Sequence, residues 1–258
     1  MSAPAAPGAA GGVSAPRYPL KPDPYSSHSI VAREVRRRVR AGAPRRPLVL
    51  DVGCGSGPLG ALLAGAPLSL VGLDSDPAAL EQARHHGYAA LVQANLDEGE
   101  LPGGIGPADI LVCADVLEHC RWPDAVLQRL LRRYLPTGGA VIVSLPNVAH
   151  WYVRGQLLAG RWPYADRGIL DRTHLRFFTG ASGAALVTEA GVRIERRWAT
   201  PVPLPALYAD CRPGRPLYGL HVFSAWVTRR WPALFAYQLV YAGTYPGPPE
   251  GPLPGAAQ

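Results

Sequence analysis

The sequence predicts an α/β fold, a doubly wound seven-stranded sheet with helices on both faces and a long insertion after the fifth strand. Three observations carry this. Apolar, strand-like runs alternate with amphipathic stretches along most of the chain, the connections between them are short, and glycines and acids fall where the runs end. Right-handed crossovers in such a sheet gather those loops at the carboxyl ends of the strands. At 258 residues and 48% apolar, the chain can bury a full core and most simply forms one domain.

The elements follow in order. Ser29–Arg40 reads as a helix, because Ile30, Val31, Val35 and Val39 make an apolar stripe opposite Arg33, Arg36, Arg37, Arg38 and Arg40. Leu48–Val52 is an apolar run and the first strand. Helix Gly57–Ala64, strand Ser69–Leu73, helix Pro77–His86 and strand Ala89–Gln93 continue the alternation. Strand Ile110–Ala114, helix Pro123–Tyr134 and strand Ala140–Ser144 follow, then helix Gly180–Ala190, strand Arg193–Trp198 and a last strand Leu234–Ala242. The piece from Asn147 to Thr179 breaks the alternation, as long functional loops do. The proline-rich stretch Pro201–Gly219 reads as a lid or a connection. Leu220–Gly243 is apolar, but Arg229 and Arg230 interrupt it and Pro232 follows. It therefore predicts a packed helix, a turn and a strand rather than a membrane span.

Residues 25–245 are expected to form the domain, with Ala/Gly/Pro-rich tails at 1–24 and 246–258. The first twenty residues lack a continuous apolar core, so neither a signal peptide nor an ordered element is expected there. Cys54, Cys113, Cys120 and Cys211 form no CxxC pair and no metal-finger spacing, which predicts thiols in a reducing, cytoplasmic compartment. The net charge of +7 comes almost entirely from arginine. A basic first helix can serve nucleic acid or an acidic lipid surface. Without interleaved aromatics or a nucleic-acid module, the solvated face of a terminal helix is the expected reading.

The stretch Val49-Leu50-Asp51-Val52-Gly53-Cys54-Gly55-Ser56-Gly57 is the densest in chemistry. An apolar run meets an acid and opens into alternate glycines, which leave room for a ligand against bare backbone. A phosphate-binding loop needs Gly-Lys-Ser/Thr after its glycines, and none is present. The third glycine of a dinucleotide fingerprint is replaced by Pro58. Asp51 repels a pyrophosphate and attracts a cationic ligand. A second acid, Asp74, ends the next apolar run.

These residues resemble the class I S-adenosylmethionine (SAM) dependent methyltransferases, whose fold is Rossmann-like. Asp51 to Gly57 is similar to their first motif, and Val71-Gly72-Leu73-Asp74 to the second, whose acid receives the ribose hydroxyls. Gln93-Ala94-Asn95-Leu96-Asp97 resembles the adenine-flanking stretch, with Asn95 where many relatives have Asp. Asp109 to His119 resembles the fourth strand and its turn. Leu135-Pro136-Thr137-Gly138-Gly139 resembles the turn into strand five, with Thr137 replacing Gly. The resemblance spans about Ser26 to Gly243. It implies SAM as the cofactor, held by Asp51, Gly53, Cys54, Gly55, Gly57, Asp74, Ser75, Asn95, Leu96, Ala114 and Asp115.

Ser144-Leu145-Pro146-Asn147-Val148-Ala149-His150-Trp151, Leu170 to Thr179 and Tyr25-Ser26-Ser27-His28 resemble a bacterial small-molecule subgroup tied to polysaccharide and natural-product pathways. Ser-Leu-Pro-Asn differs from the Asn/Asp-Pro-Pro-Tyr of DNA base methyltransferases, which disfavours DNA as acceptor. The expected activity is therefore methyl transfer to a small molecule, most simply O-methylation of a sugar or secondary metabolite. Candidate bases are His119, His150 and His174, with Asp171 as an orienting carboxylate. His119 also has a bracing role open to it, and His174 a structural one.

No metal is expected, against one competing reading. Asp115, Glu118 and His119 share a face if their turn is helical, with His150 or His174 as a further ligand. Some O-methyltransferases, including small-RNA and ubiquinone-pathway enzymes, carry Glu-x-x-Glu-His there as metal ligands. Rival functions are a silent SAM-binding partner subunit and a SAM-dependent cyclisation or decarboxylation. The expected partner is a small-molecule acceptor, with no nucleic acid; a homodimer is allowed.

Overall fold

The computed structural model describes residues 23–39 and 45–248. Strands β1 (Leu48–Val52), β2 (Ser69–Asp74), β3 (Ala90–Gln93), β4 (Ile110–Ala114), β5 (Ala140–Pro146), β6 (Arg193–Thr200) and β7 (Gln238–Thr244) form one sheet. Its order is β3-β2-β1-β4-β5-β7-β6. The pairings among β1 to β5 are parallel, whereas β7 runs antiparallel to both β5 and β6. The sheet is thus mixed at one end. The helices are α1 (Ser27–Arg38), α2 (Pro58–Leu63), α3 (Pro77–Ala83), α4 (Pro123–Tyr134), α5 (Trp151–Leu158), α6 (Gly180–Glu189), α7 (Leu204–Leu207), α8 (Pro216–Arg230) and α9 (Pro232–Phe235). Among the described residues, no helix is long and apolar enough to cross a membrane.

The near-continuous apolar strands follow from burial on both faces. Leu50, Val52, Leu111 and Val143 pack with Leu127 and Leu130 of α4 and Val187 of α6. Val49, Leu70, Ile110 and Ile142 pack on the other face with Val31 and Val35 of α1 and Leu59 of α2. Each such side chain, fully removed from water, contributes about 1.5–3 kcal/mol before entropy is charged against it.

Several elements differ from the sequence reading. The last strand begins at Gln238 rather than Leu234, because Pro232 opens the single turn of α9. The long insertion contains α5, capped by His150. Asp23, assigned above to the tail, is buried with its Oδ2 2.9 Å from His221 Nε2 on α8, so the folded unit includes it. Of the tails, residues 1–22 and 249–258 lie outside the described residues, as does Arg40.

The basic face of α1 is exposed at Arg33, Arg36 and Arg37, while Arg38 is half-buried. Glu34 is buried and takes hydrogen bonds from Arg37 and Arg38, while Arg196 on β6 lies 3.3 Å away. Burial pushes the Glu34 carboxyl up, but the two arginine hydrogen bonds outweigh it and hold the group below its ordinary value. Arg38 reaches Glu195 as well, at 2.9 Å. These pairs fasten α1 to the edge strand. The charged side chains along β6 guard that edge against pairing with another chain.

Two glycines separate packing from propensity. A Cβ on Gly243 would collide with the Arg193 carbonyl oxygen, where the antiparallel β6–β7 ladder leaves no room. Gly219, exposed in α8, has open space around it. Gly243→Ala should lower unfolding stability by about 1–3 kcal/mol, as overpacking does. Gly219→Ala should raise it by about 0.5–1 kcal/mol. Urea unfolding of both variants checks the pair, and equal effects of one sign would refute this account of the edge.

Candidate active site

The carboxyl ends of β1, β2 and β4 converge where the strand order reverses, the place where doubly wound sheets bind ligands. Gly53, Gly55 and Gly57 have φ of 71°, 53° and 86°, a left-handed run that only glycine adopts cheaply. The loop is held from behind, since Gly53 and Cys54 donate their N–H groups to the Leu73 carbonyl at 2.8 and 2.9 Å. Gly55 donates to Asp74 Oδ2 at 2.7 Å, and Asp76 N to Asp74 Oδ1 at 2.9 Å. A Cβ on Gly55 would meet nothing within 4 Å, so bare backbone faces open space there. That cradle, with Asp74 beside it, fits a nucleoside-bearing cofactor. Ser75 and Asn95 are exposed at the neighbouring strand ends, and Leu96 is half-buried. The Asn95 Oδ1 accepts from Asp97 N at 3.1 Å, which shapes that turn.

Asp51 is buried and accepts a 2.7 Å hydrogen bond from the Tyr88 hydroxyl, a partner that the sequence reading missed. Burial pushes its carboxyl up to about 7; the Tyr88 bond opposes this and the Asp74 charge adds to it. Cys54 is buried behind the loop, and burial raises its thiol far above the reactive range.

At the end of β4, Asp115 has φ 57°, the one left-handed residue other than glycine among those described. Its carboxylate accepts from Ser144 Oγ at 2.7 Å and from Gln238 Nε2 at 2.7 Å, with Ser27 Oγ 3.5 Å away. The turn that follows, Leu117–His119, is a short 3-10 turn rather than an α-helix. The face expected to unite Asp115, Glu118 and His119 therefore does not form, and Asp115 serves the framework.

The insertion supplies the missing neighbour. Glu118, His119 and His174 offer ligand atoms that all lie within 4.8 Å of one another. The two imidazole rings meet edge to face, with centroids 4.8 Å apart. His119 Nδ1 lies 3.1 Å from the Thr173 carbonyl and His174 Nδ1 3.0 Å from the Ile169 carbonyl. Carbonyls only accept, so each ring carries a hydrogen on Nδ1, and Nε2 is the nitrogen left to face a ligand. Asp171, fully buried, accepts from Thr173 N at 2.8 Å and Thr173 Oγ1 at 2.7 Å. It thereby orients Thr173, whose carbonyl orients His119; the carboxylate acts one residue further out than expected. The Glu118 carbonyl accepts from Leu175 N and Arg176 N, which ties the insertion to the β4 turn.

Glu118 is itself buried, and its Oε2 has no hydrogen-bond partner among the described residues. Burial, followed by the Asp115 charge, holds its carboxyl well above the ordinary range. Burial likewise lowers His174, with His119 adding to the effect.

His150 stands apart from this cluster. It caps α5, its Nδ1 accepting from Tyr152 N at 3.3 Å, and packs against Tyr237. Burial lowers its pKa to about 4. Its Nδ1 is engaged in the cap and burial opposes its protonation, which sets His150 apart from the His119–His174 pair. Nothing in the linear sequence marks it as a cap, because the role depends on where α5 begins.

Comparison with known proteins agrees with this geometry. A methyltransferase domain family matches residues 28–196. The ubiquinone biosynthesis O-methyltransferase of Thiobacillus denitrificans is 31% identical over 171 residues, 61% of this chain and 71% of that protein. A mitochondrial protein of the same name from Schizosaccharomyces pombe is 29% identical over 105 residues, and there the chain spans only 37% of the relative's length and 38% of its own. The fold is similar to magnesium protoporphyrin IX methyltransferase from Synechocystis PCC 6803 with bound SAH, at TM-score 0.55 and 18% identity over 84% of this chain and 83% of that one. With its glycine cradle, paired acids and family match, the chain belongs to the class I SAM-dependent methyltransferases, and its cofactor is SAM.

Proposed function

We propose that this methyltransferase methylates a hydroxyl oxygen of a small organic acceptor, a sugar or secondary metabolite. The supporting observation is the pair of imidazoles, His119 and His174, which meet at the carboxyl end of β4 with Nδ1 of each donating to a backbone carbonyl and Nε2 the nitrogen left for an acceptor proton. When bound, SAM supplies a methyl group already made electrophilic by its sulfonium. The protein's task is then alignment, exclusion of water and removal of the hydroxyl proton. The glycine loop and Asp74 position the cofactor, and ionised Asp51 favours its positive charge. His174 Nε2 takes the acceptor proton, and His119, braced by Thr173 and Asp171, holds His174 edge to face. Burial disfavours a negative charge on Glu118 beside the departing proton. His150 keeps α5 and its neighbours in place without entering the proton transfer.

A second reading has its own support in the orphaned Glu118 Oε2, which lies with the two histidines at metal-ligand spacing. A divalent cation held by Glu118, His119 and His174 would lower the acceptor hydroxyl's pKa directly.

Three measurements decide between these readings. His174→Gln should lower kcat about 10²–10⁴-fold while SAM binding by calorimetry stays unchanged; full activity would remove His174 from the chemistry. Because burial lowers the His174 pKa, the acid limb of kcat/KM should fall below the ordinary histidine value of about 6.5. Chelator treatment should leave turnover intact if histidine alone is the base, whereas loss restored by Mg²⁺ or Mn²⁺ would establish the metal reading.

Asp51 gives a prediction independent of the acceptor. Its folded pKa of about 7 lies above its unfolded value, so folding takes up a proton between these limits. Its share of stability therefore falls as pH rises towards 7. Asp51→Asn should gain on the native protein by about 1 kcal/mol or more between pH 5 and pH 8. Over the same range the native protein's SAM affinity should rise and the variant's stay flat; parallel profiles for the two proteins would contradict both expectations.

A further inference from the structure

A crevice of about 800 Å³ lies beside this site, bounded by the ends of β6 and β7, the start of α6, α1 and the α8–α9 pair. Its volume is that of a small-molecule site. Its lining is one-sided in charge, with Arg33, Arg154, Arg197 and Arg229 present and no aspartate or glutamate. None of the four guanidinium groups forms an ion pair with a carboxylate among the described residues. Two are held in place by backbone instead, Arg33 by the Pro24 carbonyl at 2.7 Å and Arg154 by the Ala149 carbonyl at 2.6 Å. Both carbonyls belong to the crevice wall, and each arginine keeps further N–H donors for a ligand. Trp198 and Tyr241 add aromatic surface.

Four cations gathered without a counter-charge repel one another, and an anion relieves that repulsion. The crevice reaches Ala149, next to the His150 cap, and Leu239, next to the Gln238 that holds Asp115. It therefore adjoins the candidate active site. We infer that this crevice binds a small amphipathic anion, an apolar or aromatic body carrying a carboxylate, phosphate or sulfonate group. That this ligand is the methyl acceptor rests on the proposed methyl transfer; binding itself does not.

The test uses the full chain and two dyes of similar shape, anilinonaphthalene sulfonate and its uncharged relative phenylnaphthylamine. The sulfonate should bind with one-to-one stoichiometry and at least tenfold more tightly than the neutral dye, and added salt should weaken it. The double variant R197Q/R229Q should lose that preference while keeping its affinity for the neutral dye. SAM binding by calorimetry should be the same in both proteins, so a failed cofactor assignment would show separately. F223S/W226S, which alters exposed aromatic rings on α8, should leave sulfonate binding intact. Equal affinity for the two dyes, an unchanged R197Q/R229Q, or loss of binding in F223S/W226S would each overturn the inference.

Discussion

The carboxylate of Asp115 sets the position of nearly everything at the business end of the sheet. A side chain other than glycine in the left-handed region costs about 1–2 kcal/mol, and the protein accepts that cost at one described position. Short hydrogen bonds from Ser144 on β5 and Gln238 on β7 hold the residue there. The sharp turn this permits brings the chain round at once into Leu117–His119. Without it, β4 would run on past the site, and Glu118 and His119 would not reach the insertion. The same carboxylate joins β4, β5 and β7, so the antiparallel end of the sheet and the histidine pair share one fastening. A residue that motif comparison assigns to the cofactor is, in the structure, the joint between cofactor half and acceptor half.

Around that joint the electrostatics are graded. Around the candidate site burial shifts the buried groups towards their neutral forms, raising the pKa values of Glu118 and Asp51 and lowering those of His150 and His174. Burial is the first cause in every case, which marks a dry environment where remaining dipoles act at low dielectric. Charge collects further out, on the arginines of the crevice and on the α1–β6 pairs. A neutral interior rimmed by cations favours a ligand that presents an uncharged reactive end inward and an anionic end outward.

Much of the cofactor half was legible because its information is local. The Asp51–Gly57 loop encodes its own backbone geometry through glycine spacing, and the flanking apolar runs place it on the sheet. The acceptor half was legible only as a region. Thr173 and Asp171 act through a turn, and His119 meets His174 because two distant segments converge on the Glu118 carbonyl. Tyr88 reaches Asp51 from a stretch that reads as ordinary packing. The capping role of His150 was not readable, because it depends on where α5 begins. The reversed direction of β7 was not readable either, since an apolar run carries no mark of its orientation.

That reversal bears on how the molecule is made. β7 is made after the other six described strands, yet it lies second from the edge, and β6 pairs with no other described strand. On the ribosome, β1 to β5 can assemble in order while β6 waits without a partner and Asp115 without Gln238. The half that holds the methyl donor can thus mature before the half that receives the acceptor exists. The Gln238 bond to Asp115 closes only when β7 lies between β5 and β6.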